Sequence, residues 1–166
     1  MTRTRTAATA SLLILGAVMS FYPQPALGDS SSDRLHQDHD LLGESIGLVG
    51  YDPVSYFPEG GGEPAKGLIS ITAEHAGVTY RFATEEHKTV FSKNPEKYLP
   101  AFGGWCTWAM GALGKRVDVD PESYVIKNGR LLVFYRDPAL DTRAMFLEDA
   151  DVLLEKAEAN WAVLSK

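Results

Sequence analysis

The chain has a single cysteine, Cys106, among its 166 residues. One thiol cannot form an internal disulfide, and it cannot by itself supply a paired-thiol redox motif or a multi-thiolate metal site. The fold must therefore be stabilised by its hydrophobic core. The sequence also lacks the Walker lysine-serine spacing, the Gly-x-Ser-x-Gly elbow and the HExxH motif, so nothing in it supports phosphate binding, a serine hydrolase or a zinc protease.

Basic residues are outnumbered by acidic ones. There are 16 Lys and Arg against 22 Asp and Glu, which gives a formal net charge of −6. No basic cluster interrupts this acidity, and the composition therefore argues against binding to nucleic acid or to an anionic membrane surface. The chain also lacks a long apolar run, since the most apolar segment, Ala7 to Phe21, falls short of the roughly 20 residues that cross a bilayer.

That short apolar segment follows two arginines and precedes two prolines and a few small residues. This order is typical of a cleaved secretory signal over residues 1–28, with the mature chain starting at Asp29. We therefore expect an exported protein, periplasmic or extracellular, with no membrane span in its mature form.

The remainder divides into a polar segment and one domain. Residues 29–45 are charged and carry no apolar periodicity, which predicts a mobile linker. Its His36 and His39, which lie among aspartates, are expected to be solvated, because ordering a mobile tail around an ion is entropically unfavourable. Residues 46–166 are long enough for a single domain.

Local signals in this domain predict hairpins and short helices. Two apolar, β-branched runs flank His75-Ala76-Gly77, and two more flank Asn128-Gly129, the strongest short-range hairpin signal. Thr84 is a good N-cap for a helix over 85–93, Pro95 starts a short second helix, and the chain is helical after Pro138 with a break near 148–149. The pattern predicts an α+β domain built on a small antiparallel sheet, with a C-terminal helical segment.

Three segments carry a family resemblance. They are GYDPVSYF at 50–57, YRFATEEHKTVFSKNPEKY at 80–98 and FGGWCTWAM at 102–110. Together they resemble the YHS domain family, in its small exported single-domain branch, over roughly residues 49–137, and the ANW at 159–161 is also typical of that branch. Related metal-associated domains carry thiols at positions that fall here on Ser55, Ala83 and His87. The resemblance therefore implies the scaffold and draws attention to His87, but it does not imply a thiolate metal site.

Sulfur and imidazole groups are the candidate metal ligands. Cys106 with Met110, four residues later, suits a soft ion such as Cu(I), and His87 is the third candidate ligand. For His87 two interpretations stay open: a surface histidine on a polar helix, or a partly buried ring, because it shares a predicted helix face with Val90 and Phe91. Two alternatives stay open for Cys106: a small buried hydrophobe, or a reactive thiol with His87 as its base.

An aromatic set around two glycine-rich stretches could instead line a ligand pocket. The predicted pocket residues are the aromatic side chains of Tyr51, Tyr56, Trp105 and Trp108, together with the acid Asp52. Core packing explains the aromatic residues equally well, and we expect both tryptophans to be largely buried. The simplest role for Asp52 is to cap the turn that Pro53 opens.

Three functional hypotheses follow. The first is a non-catalytic exported binding module for a transition metal such as copper or for a small ligand. The second is a thiol-dependent enzyme or redox protein that uses Cys106 with His87. The third is an interaction domain without a metal. No feature of the sequence requires catalysis.

Overall fold

The structure is a computed structural model that describes residues 35–36, 38–42 and 45–166. The predicted signal at 1–28 and the first residues of the predicted linker lie outside this part of the chain. Among the described residues, no helix has both the length and the apolar character needed to cross a membrane.

The described chain forms a mixed α+β domain, as predicted. The strands are β1 (Leu41–Leu42), β2 (Ile46–Gly47), β3 (Leu68–His75), β4 (Val78–Phe82), β5 (Asp120–Lys127), β6 (Arg130–Phe134), β7 (Arg136–Asp137) and β8 (Leu140–Asp141). The helices are α1 (Glu85–Lys93), α2 (Pro95–Tyr98), α3 (Thr107–Leu113), α4 (Thr142–Leu147) and α5 (Ala150–Leu164). One sheet has the order β1-β2-β4-β3, and β5-β6 and β7-β8 form separate antiparallel hairpins.

The predicted hairpins are confirmed, and their turns explain why they form. Ala76 and Gly77 have φ values of 50° and 82°, and Asn128 and Gly129 have φ values of 54° and 74°. Two successive positive φ values match the right-handed twist of the flanking strands. Asn128 and the two glycines adopt them at low cost, whereas Ala76 adopts its value at some cost in backbone strain. Both turns therefore fix the register of the strands that they join.

The predicted helices are confirmed except at residues 138–141, where the structure has strand β8 and the C-terminal helical segment begins at Thr142 instead of after Pro138. The Thr84 side chain accepts a hydrogen bond from the backbone N–H of His87, and two glutamates occupy the first turn of α1. Both features stabilise the N-terminal end of a helix, where backbone N–H groups lack intrahelical partners. The C-terminal helical segment is broken at Glu148-Asp149 into α4 and α5, at the predicted place.

The β5–β6 hairpin separates two hydrophobic clusters. Leu131 and Val133 belong to the first cluster, with the residues of the GYDPVSYF segment, β4 and α1. Leu132 and Phe134 belong to the second, with α3, α4 and α5. Because successive side chains of a strand alternate between its two faces, β6 places these pairs on opposite sides. Each side of the hairpin therefore has its own core.

Strand β3 lies at the edge of its sheet and is irregular. Its pairing with β4 shifts register between Leu68 and Thr72. Leu68 and Ile69, at this irregularity, are 51% and 79% exposed. The outer edge of the sheet is therefore interrupted near the start of β3.

The described part of the predicted linker packs against the domain, which differs from the expectation of a mobile segment. Asp40 is only 8% exposed, and its carboxylate accepts a hydrogen bond of 3.1 Å from the backbone N–H of Val119. The backbone N–H of Asp40 donates to the carbonyl of Gly103. Position 103 has room only for glycine, because a Cβ atom there would lie 1.8 Å from the carbonyl oxygen of Asp38. These contacts are made with residues distant in sequence, so local composition does not reveal them.

The buried Asp40 predicts a pH dependence of stability. Burial and the neighbouring charge of Asp118 raise the pKa of Asp40 from 3.8 to about 6, although the bond from Val119 acts in the opposite direction. Since the folded-state pKa is the higher one, protonated Asp40 stabilises the fold at low pH, and this contribution is lost as the pH rises from about 4 to about 6.

We therefore expect wild type and Asp40→Asn to unfold with similar free energies at pH 4. At pH 7.5 the variant should be the more stable by on the order of 2–3 kcal/mol, because asparagine cannot ionise. Urea unfolding at both pH values measures this, with the exposed Glu155→Gln as control. A difference that does not change with pH would contradict the prediction.

Candidate functional site

The carboxylate of Asp52 joins two distant segments of the chain. Its Oδ1 accepts a hydrogen bond of 2.9 Å from the backbone N–H of Val54. Its Oδ2 accepts one of 2.8 Å from the backbone N–H of Ala83 and lies 2.6 Å from Nδ1 of His87. Asp52 is completely buried, and a buried carboxylate is tolerated only when its oxygens are satisfied in this way. The predicted role of Asp52 as a turn cap is confirmed, and the contact with α1 adds a second role.

The imidazole of His87 is held in one orientation. Thr84 fixes its backbone at the start of α1, and the side chain is 17% exposed. A carboxylate that accepts two backbone N–H bonds acts as an acceptor toward the ring, so Nδ1 carries a proton. No hydrogen bond among the described residues uses Nε2. His87 therefore has one nitrogen committed to Asp52, and the other has no hydrogen-bond partner among the described residues.

Ser55 completes the local structure around Asp52. Its hydroxyl donates to the Asp52 carbonyl oxygen over 2.7 Å and accepts from the backbone N–H of Ala65 over 3.0 Å. Ser55 is completely buried. Its hydroxyl makes no hydrogen bond to His87, so Ser55 is not paired with the imidazole.

The three positions that the resemblance associates with thiols converge on Asp52. Ser55 bonds the Asp52 carbonyl, Ala83 donates its backbone N–H to the carboxylate, and His87 contributes its ring. All three groups are hydrogen-bonded to Asp52, and none is a thiol. The arrangement therefore does not fit a thiolate-bound metal, and a buried carboxylate–imidazole pair stands in its place.

Cys106 and Met110 lie in the second cluster and are both completely buried. The Sγ of Cys106 lies 3.4 Å from Oγ1 of Thr142. The Thr142 hydroxyl itself donates to the carbonyl of Tyr135, so the thiol is the donor in the first contact. Cys106 thus has the environment of a packed thiol.

The structure does not bring Cys106 and Met110 to His87. Val54 and Phe91, next to the Asp52–His87 pair, belong to the first cluster, on the opposite side of the β5–β6 hairpin. No hydrogen bond in the described part of the chain joins Cys106 to His87. In the same part of the chain, no group of three or more His, Cys, Asp or Glu side chains is arranged to hold a metal ion.

The predicted aromatic pocket is also divided between the two clusters. Tyr51 and Tyr56 are buried in the first, where the Tyr51 hydroxyl donates to Glu122 over 2.8 Å and the Tyr56 hydroxyl to the Pro121 carbonyl over 3.0 Å. Trp105 and Trp108 pack against the second. Both tryptophans are mostly buried, as predicted, with part of each side chain exposed at the margin of the cluster. The five predicted pocket residues therefore do not line one cavity.

Two clefts are present at other places in the described structure. One, of about 420 Å³, lies between the docked segment near His39, the Leu99–Gly103 stretch and the end of α5. The other, of about 570 Å³, is lined by Glu63, Pro64, Glu122, Tyr124, Arg136 and Arg143. Sequence reasoning missed the charged residues of the second cleft, because they are scattered along the chain from Glu63 to Arg143 and match no motif.

Comparison of the chain with protein-family models, with curated proteins and with solved structures gives no match.

Replacing Asp52 with asparagine should weaken the fold and change the His87 ring. The amide of the introduced asparagine has only one acceptor oxygen, so at least one of the bonds from Val54, Ala83 and His87 is lost. Because hydrogen bonds to a buried charge are strong, we expect a loss of roughly 2–3 kcal/mol in the free energy of unfolding. Nitrogen-15 NMR of the ring should show that Nδ1 no longer carries the proton in the neutral imidazole.

Glu96→Gln is the matched control, since Glu96 pairs with His75 at 2.9 Å on the surface. Exposed pairs contribute about 0–1 kcal/mol. Equal losses for Asp52→Asn and Glu96→Gln would show that burial of Asp52 has no energetic consequence.

The Cys106 thiol should react with a small alkylating reagent only when the chain unfolds, because it is completely buried. Mass spectrometry of iodoacetamide-treated protein, with and without urea, measures this. Rapid modification of the folded protein would contradict the packed-thiol interpretation and would support the thiol-enzyme hypothesis.

Proposed function

We propose that this protein is a small, non-catalytic binding module, of YHS-like architecture and exported from the cytoplasm, whose ligand-contacting group is the His87 imidazole. The YHS-like scaffold is inferred from the three segments that resemble the YHS family. The exported location is inferred from the signal-like pattern at residues 1–28. The ligand-contacting role rests on the site geometry.

The observation that carries the proposal is the 2.6 Å contact between Asp52 and Nδ1 of His87. Histidines that bind metal ions nearly always donate their second ring N–H to a carboxylate or a carbonyl, which fixes the tautomer and raises the basicity of the ligating nitrogen. Asp52 is positioned to do this for Nε2 of His87. The carboxylate cannot turn away, because Val54 and Ala83 hold it from the backbone.

A divalent transition-metal ion is the ligand class that this geometry favours. Imidazole suits zinc, copper and nickel ions. The sulfur atoms of Cys106 and Met110 are completely buried in the second cluster. We therefore do not propose a Cu(I) ion bound by sulfur ligands. One imidazole leaves the other coordination positions to water or to donors on a bound molecule, so we expect modest affinity and exchangeable ligands.

Titration with Zn²⁺, monitored by NMR of the histidine rings, tests the proposal. We expect saturable shifts centred on Nε2 of His87 and loss of these shifts in His87→Ala. Asp52→Asn should weaken binding by about 10–100-fold, the usual effect of removing a carboxylate behind a metal-binding histidine. Cys106→Ala should bind as wild type does.

His75→Ala is the matched control, because His75 also contacts a carboxylate but does so on the surface, through Nε2. It should leave the titration unchanged. If His87→Ala binds as tightly as wild type, the proposal is wrong. If Cys106→Ala alone abolishes binding, the sulfur ligands predicted from the sequence are the correct ones.

A further inference from the structure

The cleft of about 570 Å³ is lined by neither Asp52 nor His87. Its walls are the loop after Gly62, strands β5 and β7 and the start of α4. Its volume is within the range of about 300–1,000 Å³ that small-molecule sites occupy. Two arginines and two glutamates line it, so its ionisable side chains sum to zero charge. A net-neutral cleft with both signs of charge favours a ligand that also carries both signs.

Two of the four charges are already satisfied within the protein. Arg136 donates to Asp120 through Nε at 2.9 Å and lies 2.8 Å from it through a second nitrogen. Glu122 accepts the Tyr51 hydroxyl at 2.8 Å. These side chains are anchored to the walls, where they contribute charge and shape.

The other two charges lack such partners. The guanidinium of Arg143 is 3.9 Å from the Asp141 carboxylate, which is longer than a hydrogen bond, and this is its one ion pair among the described residues. No ion pair or side-chain hydrogen bond in the same part of the chain involves the Glu63 carboxylate. Arg143 and Glu63 also do not pair with each other, although they line the same cleft.

Tyr124 lines the cleft together with these two charges. Its hydroxyl donates to the Gly62 carbonyl over 2.8 Å, and its ring packs against the edge of Tyr56 with centroids 5.0 Å apart. Burial raises the pKa of Tyr124, Glu63 raises it further and Arg143 lowers it. The opposite effects indicate that both charges act on the Tyr124 hydroxyl, and the anchored ring gives the cleft a rigid wall.

We propose that this cleft binds a small zwitterion of the size of an amino acid or a dipeptide. The ligand carboxylate pairs with Arg143, whose planar guanidinium suits two parallel hydrogen bonds. The ligand ammonium pairs with Glu63, and the Tyr124 ring and Pro64 contact the carbon atoms between the two charges. A ligand with only one charge pairs with either Arg143 or Glu63 and leaves the other side chain without a partner.

Three probes of similar size separate these possibilities. Glycylglycine carries both charges, N-acetylglycylglycine carries only the carboxylate, and glycylglycinamide carries only the ammonium. Backbone NMR titrations should give saturable shifts at Glu63, Tyr124 and Arg143 with glycylglycine, with Kd in the range of about 0.1–10 mM. Each singly charged probe should bind at least about tenfold more weakly.

The variants Arg143→Gln and Glu63→Gln should each weaken glycylglycine binding by a similar factor. Arg130→Gln is the control, because Arg130 pairs with Glu158 on the surface and does not line this cleft. The spectra of the free proteins verify folding. The proposal is overturned if glycylglycine gives no saturable shift, if N-acetylglycylglycine binds equally well, or if both cleft variants bind as wild type does. Because His87 does not line the cleft, these outcomes are independent of the Zn²⁺ titration.

Discussion

The hydrogen bonds that the Asp52 carboxylate accepts are the interactions on which the architecture of the first cluster depends. The carboxylate closes the turn that holds Val54 in the core, and it receives the N-terminal end of α1 through Ala83 and His87. The Asp52 backbone also donates to the Ala65 carbonyl, which secures the glycine-rich loop. Three segments that are far apart in sequence therefore meet at one residue. A charged group is suited to this position because it can accept several strong hydrogen bonds at once.

The position of the β5–β6 hairpin determines which side chains lie on the same side of the domain and can contact a common ligand. The two faces of the hairpin serve different clusters, with the buried thiol and thioether on one side and the carboxylate–imidazole pair next to the other. Sulfur and imidazole are therefore kept apart by a layer of packed strands, although Cys106 and His87 are close in the sequence. This separation favours a site based on His87 over one based on Cys106. It also gives Cys106 a packing role, in contact with Thr142.

Local features of the fold could be predicted from the sequence, whereas contacts between distant residues could not. Asn128-Gly129 and Thr84 act within a few residues, so their hairpin and helix were identified correctly. The pairing of Asp52 with His87 spans 35 positions, and no local pattern indicates it, although both residues were candidates separately. The apolar, glycine-flanked segment predicts burial of the tryptophans but does not show which cluster they join. Arg143 and Glu63 belong to ordinary polar stretches and become notable only when the fold places them in one cleft.

The irregular pairing at the start of β3 has a consequence for self-association. A regular edge strand offers a continuous row of free N–H and C=O groups to which a strand of another molecule can add. Here the row is broken between Leu68 and Thr72, close to the highly exposed Ile69. The backbone groups of an incoming strand could not all pair with those of β3 near the exposed apolar side chains of Leu68 and Ile69. An irregular edge strand of this kind is a poorer template for the addition of another strand than a regular one.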